Sequence, residues 1–224
     1  MKGLKIFFTL SFVLTIGHLY SQGLEIELLG RPALTSLRGN DVIKNNFDPT
    51  INFSTGLAVN YFIKENSILN LALLYDKKGG SGEMNIVLRD EQNQIIGEGK
   101  VTNKSTFDYI IIPIQWGQRF GQKIKYQFGI GLYTGFLLKQ EQTSEGLNGL
   151  VNSSEDNTDI FKKFDLGLSA SFNLFFPITD SFSIKIGLDD NYGLLNTSDV
   201  PVANDGTIKH NSFGLLVGAN FRLN

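Results

Sequence analysis

The sequence predicts an all-β chain folded as an eight-stranded antiparallel barrel. Apolar and polar residues alternate in steps of two along most of the chain, and no segment sustains an apolar stripe of helical period. Short and long connections also take turns, as in an up-and-down meander.

Eight candidate strands fall near residues 23–37, 51–63, 66–78, 105–118, 123–138, 161–176, 181–195 and 209–222. Most exceed the five or six residues usual in soluble sheets and reach the roughly 9–11 that a tilted strand needs to cross a bilayer. In the fifth, Ile124, Tyr126, Phe128, Ile130, Leu132 and Phe136 share one face, opposed by Lys125, Gln127, Gly129, Gly131, Tyr133 and Gly135. The sixth sets Phe164, Leu166, Leu168, Ala170, Phe172 and Leu174 against Asp165, Gly167, Ser169, Ser171 and Asn173. The seventh opposes Phe182, Ile184, Ile186 and Leu188 to Ser183, Lys185, Gly187 and Asp189. The eighth opposes Phe213, Leu215, Val217, Ala219 and Phe221 to Gly214, Gly218, Asn220 and Arg222, with Leu216 out of pattern. The second strand follows the same scheme. The fourth is apolar on both faces from Tyr109 to Ile114, and Pro113 lacks a ladder N–H, which predicts a bulge or locally irregular pairing.

Connections are short at Lys64-Glu65-Asn66, Phe120-Gly121-Gln122 and Pro177 to Asp180, and long at about 38–50, 79–104, 139–160 and 196–208. Membrane barrels carry this asymmetry, with short periplasmic turns and long extracellular loops. The segments 79–104 and 140–159 are expected to extend as hairpins above the membrane, as Ile86-Val87-Leu88 and Ile95-Ile96 suggest for the first.

Alternation alone does not say which face points inward, since a soluble, lipocalin-like periplasmic barrel alternates equally well with its apolar face inside. Aromatic residues near both strand ends of the bulky face, such as Phe182 with Tyr192, favour lipid outside. Charges on the small face would make a poor apolar pocket, and a mean hydropathy of −0.04 is ordinary for a transmembrane barrel with a polar lumen.

Ahead of the strands, Lys2 and Lys5 precede an apolar run from Ile6 to Leu19 with no acidic residue. That is the layout of a cleavable secretory signal peptide, expected over residues 1–21, with the barrel domain over 22–224 and Gln22 as the mature N-terminus. The remaining 203 residues of the 224 suit one β domain, and 18 basic against 22 acidic side chains exclude a nucleic-acid partner drawn by charge. There is no cysteine, so neither a disulfide framework nor a lipidated cysteine anchor is available.

The series Phe53-Ser-Thr-Gly-Leu57, Asp108-Tyr-Ile-Ile-Ile-Pro113, Gln127-Phe-Gly-Ile-Gly-Leu-Tyr133, Phe161-Lys-Lys-Phe-Asp-Leu-Gly167, Asn191-Tyr-Gly-Leu194 and Gly218-Ala-Asn-Phe-Arg222 resembles the PorT-like outer-membrane barrel family of Bacteroidetes over nearly the whole mature chain. The resemblance implies residence in the outer membrane and insertion by the barrel-insertion machinery, with lipid as surroundings. Its founding member is associated with a secretion and gliding machinery, and the motifs carry no catalytic signature. Such barrels often end on an aromatic residue that the insertion machinery reads; here Phe221 is expected to supply that signal ahead of Arg222-Leu223-Asn224.

Few residues suggest chemistry. The mature chain has one histidine, His210, two residues before Ser212, an arrangement like the His-x-Ser pair of outer-membrane lipid A deacylases. No carboxylate follows to orient it, so a loop-end histidine near the extracellular rim is the expectation. Glu141, Glu145, Glu155, Asp156 and Asp159 crowd one loop, where a loose calcium site competes with plain solvated charges. No catalytic residue, cofactor or metal site is predicted. Charges on the inward face carry the structural expectation: Glu25 and Glu27 should meet Lys185 and Arg222 near the periplasmic mouth when the barrel closes, filling the lumen and leaving no pore. A non-enzymatic barrel that scaffolds partners or presents its loops is therefore expected. A soluble ligand-binding barrel and a lipid-modifying enzyme are the alternatives, and any protein partner is left unidentified.

Overall fold

The computed structural model describes residues 23–146, 149 and 151–223; the expected signal peptide lies outside the described residues. Among the described residues, nine strands run β1 (Leu24–Gly39), β2 (Asp48–Phe62), β3 (Ser67–Arg89), β4 (Ile95–Phe120), β5 (Lys125–Gly146), β6 (Val151–Asp156), β7 (Phe164–Pro177), β8 (Phe182–Gly193) and β9 (Ile208–Leu223), with one α-helix, α1 (Asp41–Asn46), after β1 and single 3-10 turns at Thr158–Ile160 and Ala203–Asp205. Eight of them form a closed antiparallel ring in the order β4-β3-β2-β1-β9-β8-β7-β5, and β4–β5 pairing completes it. β6 pairs only with the far end of β5, outside the ring.

β1 and β9 seal the ring in continuous register from Leu24↔Leu223 to Gly30↔Val217 and again from Ala33↔Gly214 to Gly39↔Ile208. The faces are those of a protein turned inside out. Leu28, Ile130 and Phe128 are 56%, 64% and 55% exposed on the outside, whereas Glu27 and Arg31 are 0% and 1% exposed inside. An apolar exterior of this extent is stable only against lipid. It also overturns the soluble-pocket alternative, which needs the Phe/Leu/Ile face inside.

Pro113 produces a lapse: β3–β4 pairing skips from Leu71↔Ile114 to Leu74↔Ile111 without changing register. The β4–β5 pairing shifts register between Asp108↔Lys139 and Tyr109↔Leu137. Leu138 is the extra residue there and points outward at 54% exposure. Beside this bulge, Lys77 and Asp108 pair at 3.6 Å on the outer surface.

Segment 79–104 is a hairpin continuous with β3 and β4, paired from Ser81↔Lys104 to Leu88↔Gly97 and turning through Asp90–Asn93. Asn93 adopts a positive φ of 64°, which asparagine tolerates, and the Asp90 carboxylate accepts the Gln94 N–H at 2.8 Å. Segment 140–159 likewise holds a hairpin, paired from Glu141↔Asp156 to Gly146↔Val151. α1 starts on Asn40, whose side chain accepts the Ile43 N–H at 3.2 Å. That cap places Ile43 in the apolar cluster at the long-loop mouth, with Leu37, Phe107 and the partly buried Phe47, Phe161, Val202 and Ile208. The long-loop mouth is thereby plugged by side chains.

Candidate functional site in the charged lumen

Inward-facing positions of the ring build three layers. The layer nearest the short turns contains the four predicted residues. Glu27 Oε2 receives Lys185 Nζ at 2.7 Å, and its Oε1 accepts from Asn60 at 2.6 Å. Glu25 Oε1 accepts from Arg222 Nη2 at 3.0 Å. The structure thus brings the four together as two pairs. It also adds a cation that sequence reading missed: Arg119 of β4 donates through Nη1 to Glu25 Oε2 at 2.7 Å and through Nε to Gln127 at 2.9 Å. Its guanidinium lies 3.9 Å from the Phe175 ring centroid, a cation–π contact in a desolvated setting.

A middle layer is mixed: Leu29, Ala72, Leu74 and Leu216 share a cavity of about 30 Å³ with Asn70, Gln115, Gln127, Ser169 and Asn173. Leu216, the exception in its strand's alternation, is explained by this layer, where it is 6% exposed.

Above it lies a second ionic layer centred on Arg31. Its Nε holds Asp189 at 2.5 Å, Nη1 reaches Asp76 at 3.4 Å and Ser212 Oγ at 2.8 Å, and Nη2 donates to the Ser212 carbonyl at 2.7 Å. Lys78, fully buried, stands 3.5 Å from Asp76 and 3.8 Å from Asp165, with its ammonium 4.4 Å from the Tyr133 ring centroid. Tyr133 donates to Asp165 at 2.9 Å. Gly214 and Gly167 make room: a Cβ at Gly214 would lie 2.5 Å from Arg31 Nε, and one at Gly167 only 2.3 Å from the Tyr133 ring. Asp165 and Asp189 sit on the polar face that the alternation marks, but their partners come from β1 and β3 across the lumen. Strand parity supplies the face and not the partner.

His210 is a correction. It lies two residues inside the loop end of β9 but is fully buried, not open at the rim, its ring 4.5 Å from the Phe107 centroid. Its Nε2 is 3.3 Å from the Tyr109 hydroxyl and 3.2 Å from Thr197 Oγ1. Ser212 Oγ is occupied by Arg31, and both residues face the lumen, away from lipid. The acidic loop residues are spread along β5, β6 and the following turn: Glu141 takes Ser154 at 2.6 Å, and Lys139 stands 3.2 Å from its carboxylate. Among the described residues, no three metal-binding side chains converge there or elsewhere. Phe221 faces outward at the short-turn rim, 48% exposed, its ring centroid 5.0 Å from that of Phe182.

A lumen filled by three packed layers and plugged at one mouth is the interior of a small membrane barrel rather than a channel. The family model described as outer membrane protein beta-barrel domain matches residues 9–199, and the chain belongs to that family. Its place is the bacterial outer membrane, with the short turns toward the periplasm and the long loops outside. Among solved structures, the chain is similar to Ail, the attachment invasion locus protein of Yersinia pestis (14% identity, 89% of this chain and 99% of that one covered, TM-score 0.44). It is similar also to Neisserial surface protein A (13%, 88% and 96%, 0.42) and to OprG of Pseudomonas aeruginosa (9%, 90% and 96%, 0.42). No curated protein matches the sequence.

Proposed function

We propose that this outer-membrane barrel is not an enzyme and works by presenting its extracellular β3–β4 hairpin to an extended segment of a partner protein. The observation that carries the reading is the free edge of β3. Pairing with β2 ends at Asp48↔Ser81, so residues 82–89 run on for about 25 Å, at roughly 3.3 Å per residue, with β4 on one side only. Main-chain groups on such an edge recruit another strand. Met84, Ile86 and Leu88 share one face of the hairpin opposite Val101, Gly99 and Gly97, and Val87 on the other face is 49% exposed. Met84 is 50% exposed.

Catalysis finds no support in the lumen, where Ser212 anchors Arg31 and His210 is sealed beneath the plug. A photo-crosslinking residue in place of Val87, in living cells, tests the surface. One discrete adduct, absent when the residue replaces outward-facing Leu57, supports the reading; no adduct at any hairpin position overturns it.

The PorT-like resemblance favours a narrower role beside a secretion and gliding machinery. A deletion strain with normal export of surface proteins and normal gliding would remove it. Export itself is read from residues 1–21 as a leader, so the outer-membrane form should begin at Gln22 on N-terminal sequencing.

A further inference from the structure

We propose that the periplasmic mouth is a binding site for a carboxylate with an apolar body, held by Arg119, Lys125 and Arg222. A cavity of about 700 Å³ opens there, within the size range of small-molecule sites. Phe62, Phe120 and Leu223 form its apolar wall.

The charges of the mouth are unequal. Glu25 spends one carboxylate oxygen on Arg119 and the other on Arg222, and Glu27, one step deeper, is committed to Lys185. Lys125 lines the same cavity close enough to both guanidiniums to be repelled by them, and Glu25 attracts it. Lys64 and Glu65 of the first turn offset one another at the rim, and Asp180 lines a smaller recess beside it; none of these three forms an ion pair among the described residues.

Arg119 supplies the second, independent observation. It is only 5% exposed and fixed by Glu25, Gln127 and the Phe175 ring, yet its Nη2 has no hydrogen-bond partner among the described residues. An unpaired buried guanidinium nitrogen is costly, and Nη2, held in place by the bonds of Nε and Nη1, keeps its N–H groups for a carboxylate oxygen. The apolar wall beside it selects an anion carrying hydrocarbon over a fully hydrated one.

Two sources share this chemistry, a fatty acid and the free carboxyl end of a peptide. Titration calorimetry on the barrel in nanodiscs, with decanoate, acetyl-Phe-Leu, acetyl-Phe-Leu-amide and inorganic phosphate, tests the site against Lys125→Gln. Lys125 donates no side-chain hydrogen bond among the described residues, and a heat-modifiability gel verifies that the variant folds. Loss of one charged contact should weaken binding roughly tenfold or more. Decanoate binding that Lys125→Gln weakens supports a fatty-acid ligand, and acid-peptide binding that the amide lacks supports a peptide end. Overturning results are phosphate binding as tightly as both organic acids, organic-acid binding indifferent to Lys125→Gln, and no binding beyond that of empty nanodiscs.

Discussion

Lys185 of β8 and Glu27 of β1 meet at 2.7 Å across the intervening strand β9, the ammonium 4% and the carboxylate 0% exposed. Such a pair spans the seam where first and last strands close, and it is satisfied only in one register. Removing one partner leaves a buried charge alone, at a cost of about 3–5 kcal/mol, whereas neutralising both is close to neutral. Glu27→Gln preserves an acceptor for Asn60, and Lys185→Met preserves length. Each single variant should therefore lower the urea midpoint of the folded barrel strongly, while E27Q/K185M returns near the wild-type value. Additive losses in the double variant would count against a coupled pair.

Glu25 separates two arginines that look alike by position. Arg222 faces it across the β1–β9 ladder but its side chain is 38% exposed, whereas Arg119 reaches it from β4 and is 5% exposed. A half-solvated ion pair contributes about 1 kcal/mol or less, and a buried one leaves several when broken. Arg222→Leu should retain most of the heat-modifiable band at temperatures where Arg119→Leu has lost it. Equal losses would place the weight of the cluster on the seam instead.

The ring itself was legible because lipid and lumen impose a strict period of two, so Tyr126 to Phe136 and Phe182 to Leu188 declare their outward face in sequence. Glu25, Glu27, Lys185 and Arg222 were legible because they lie on the three strands that chain closure brings together. Arg119, Arg31 and Lys78 were not. Their partners are set by distances across the barrel, which depend on strand tilt and stagger and leave no trace in local alternation. The place of His210 near the loop end of its strand was legible, but its burial was not, because Phe107, Tyr109 and Thr197 enclose the imidazole from other elements.

The β5–β6 hairpin should loosen in acid. The Ser154 hydroxyl, donating to Glu141, and then Lys139 beside it hold this carboxyl below the usual glutamate value. A depressed folded-state value means that the contribution is present above the ordinary value near 4.3 and is lost as pH falls through the lower, folded one. Amide hydrogen exchange of residues 142–146 and 151–155 should accelerate as pH drops below about 4 relative to the intrinsic rate, and Glu141→Gln should flatten that dependence. Unchanged protection factors down to pH 2 would show that the pairing does not depend on this carboxylate.

The β3–β4 hairpin and the barrel should be separable. β3 is held in the ring by pairing with β2 from Phe62↔Ile68 to Asp48↔Ser81, and β4 by pairing with β5 along its whole lower length. Beyond Met84↔Val101 the hairpin contributes only its own ladder, and the buried Val101 with its Gly146 partner lies below that point. Its removal therefore deletes no seam residue. Joining Met84 to Val101 through Asn-Gly, a pair suited to a two-residue turn, should leave the heat-modifiability shift and the unfolding midpoint within about 1 kcal/mol of wild type. The same variant should abolish crosslinking of a partner through the extracellular edge. Loss of the folded band on trimming would mean that the hairpin is part of how the barrel closes, and the edge could then no longer be treated as free for a partner.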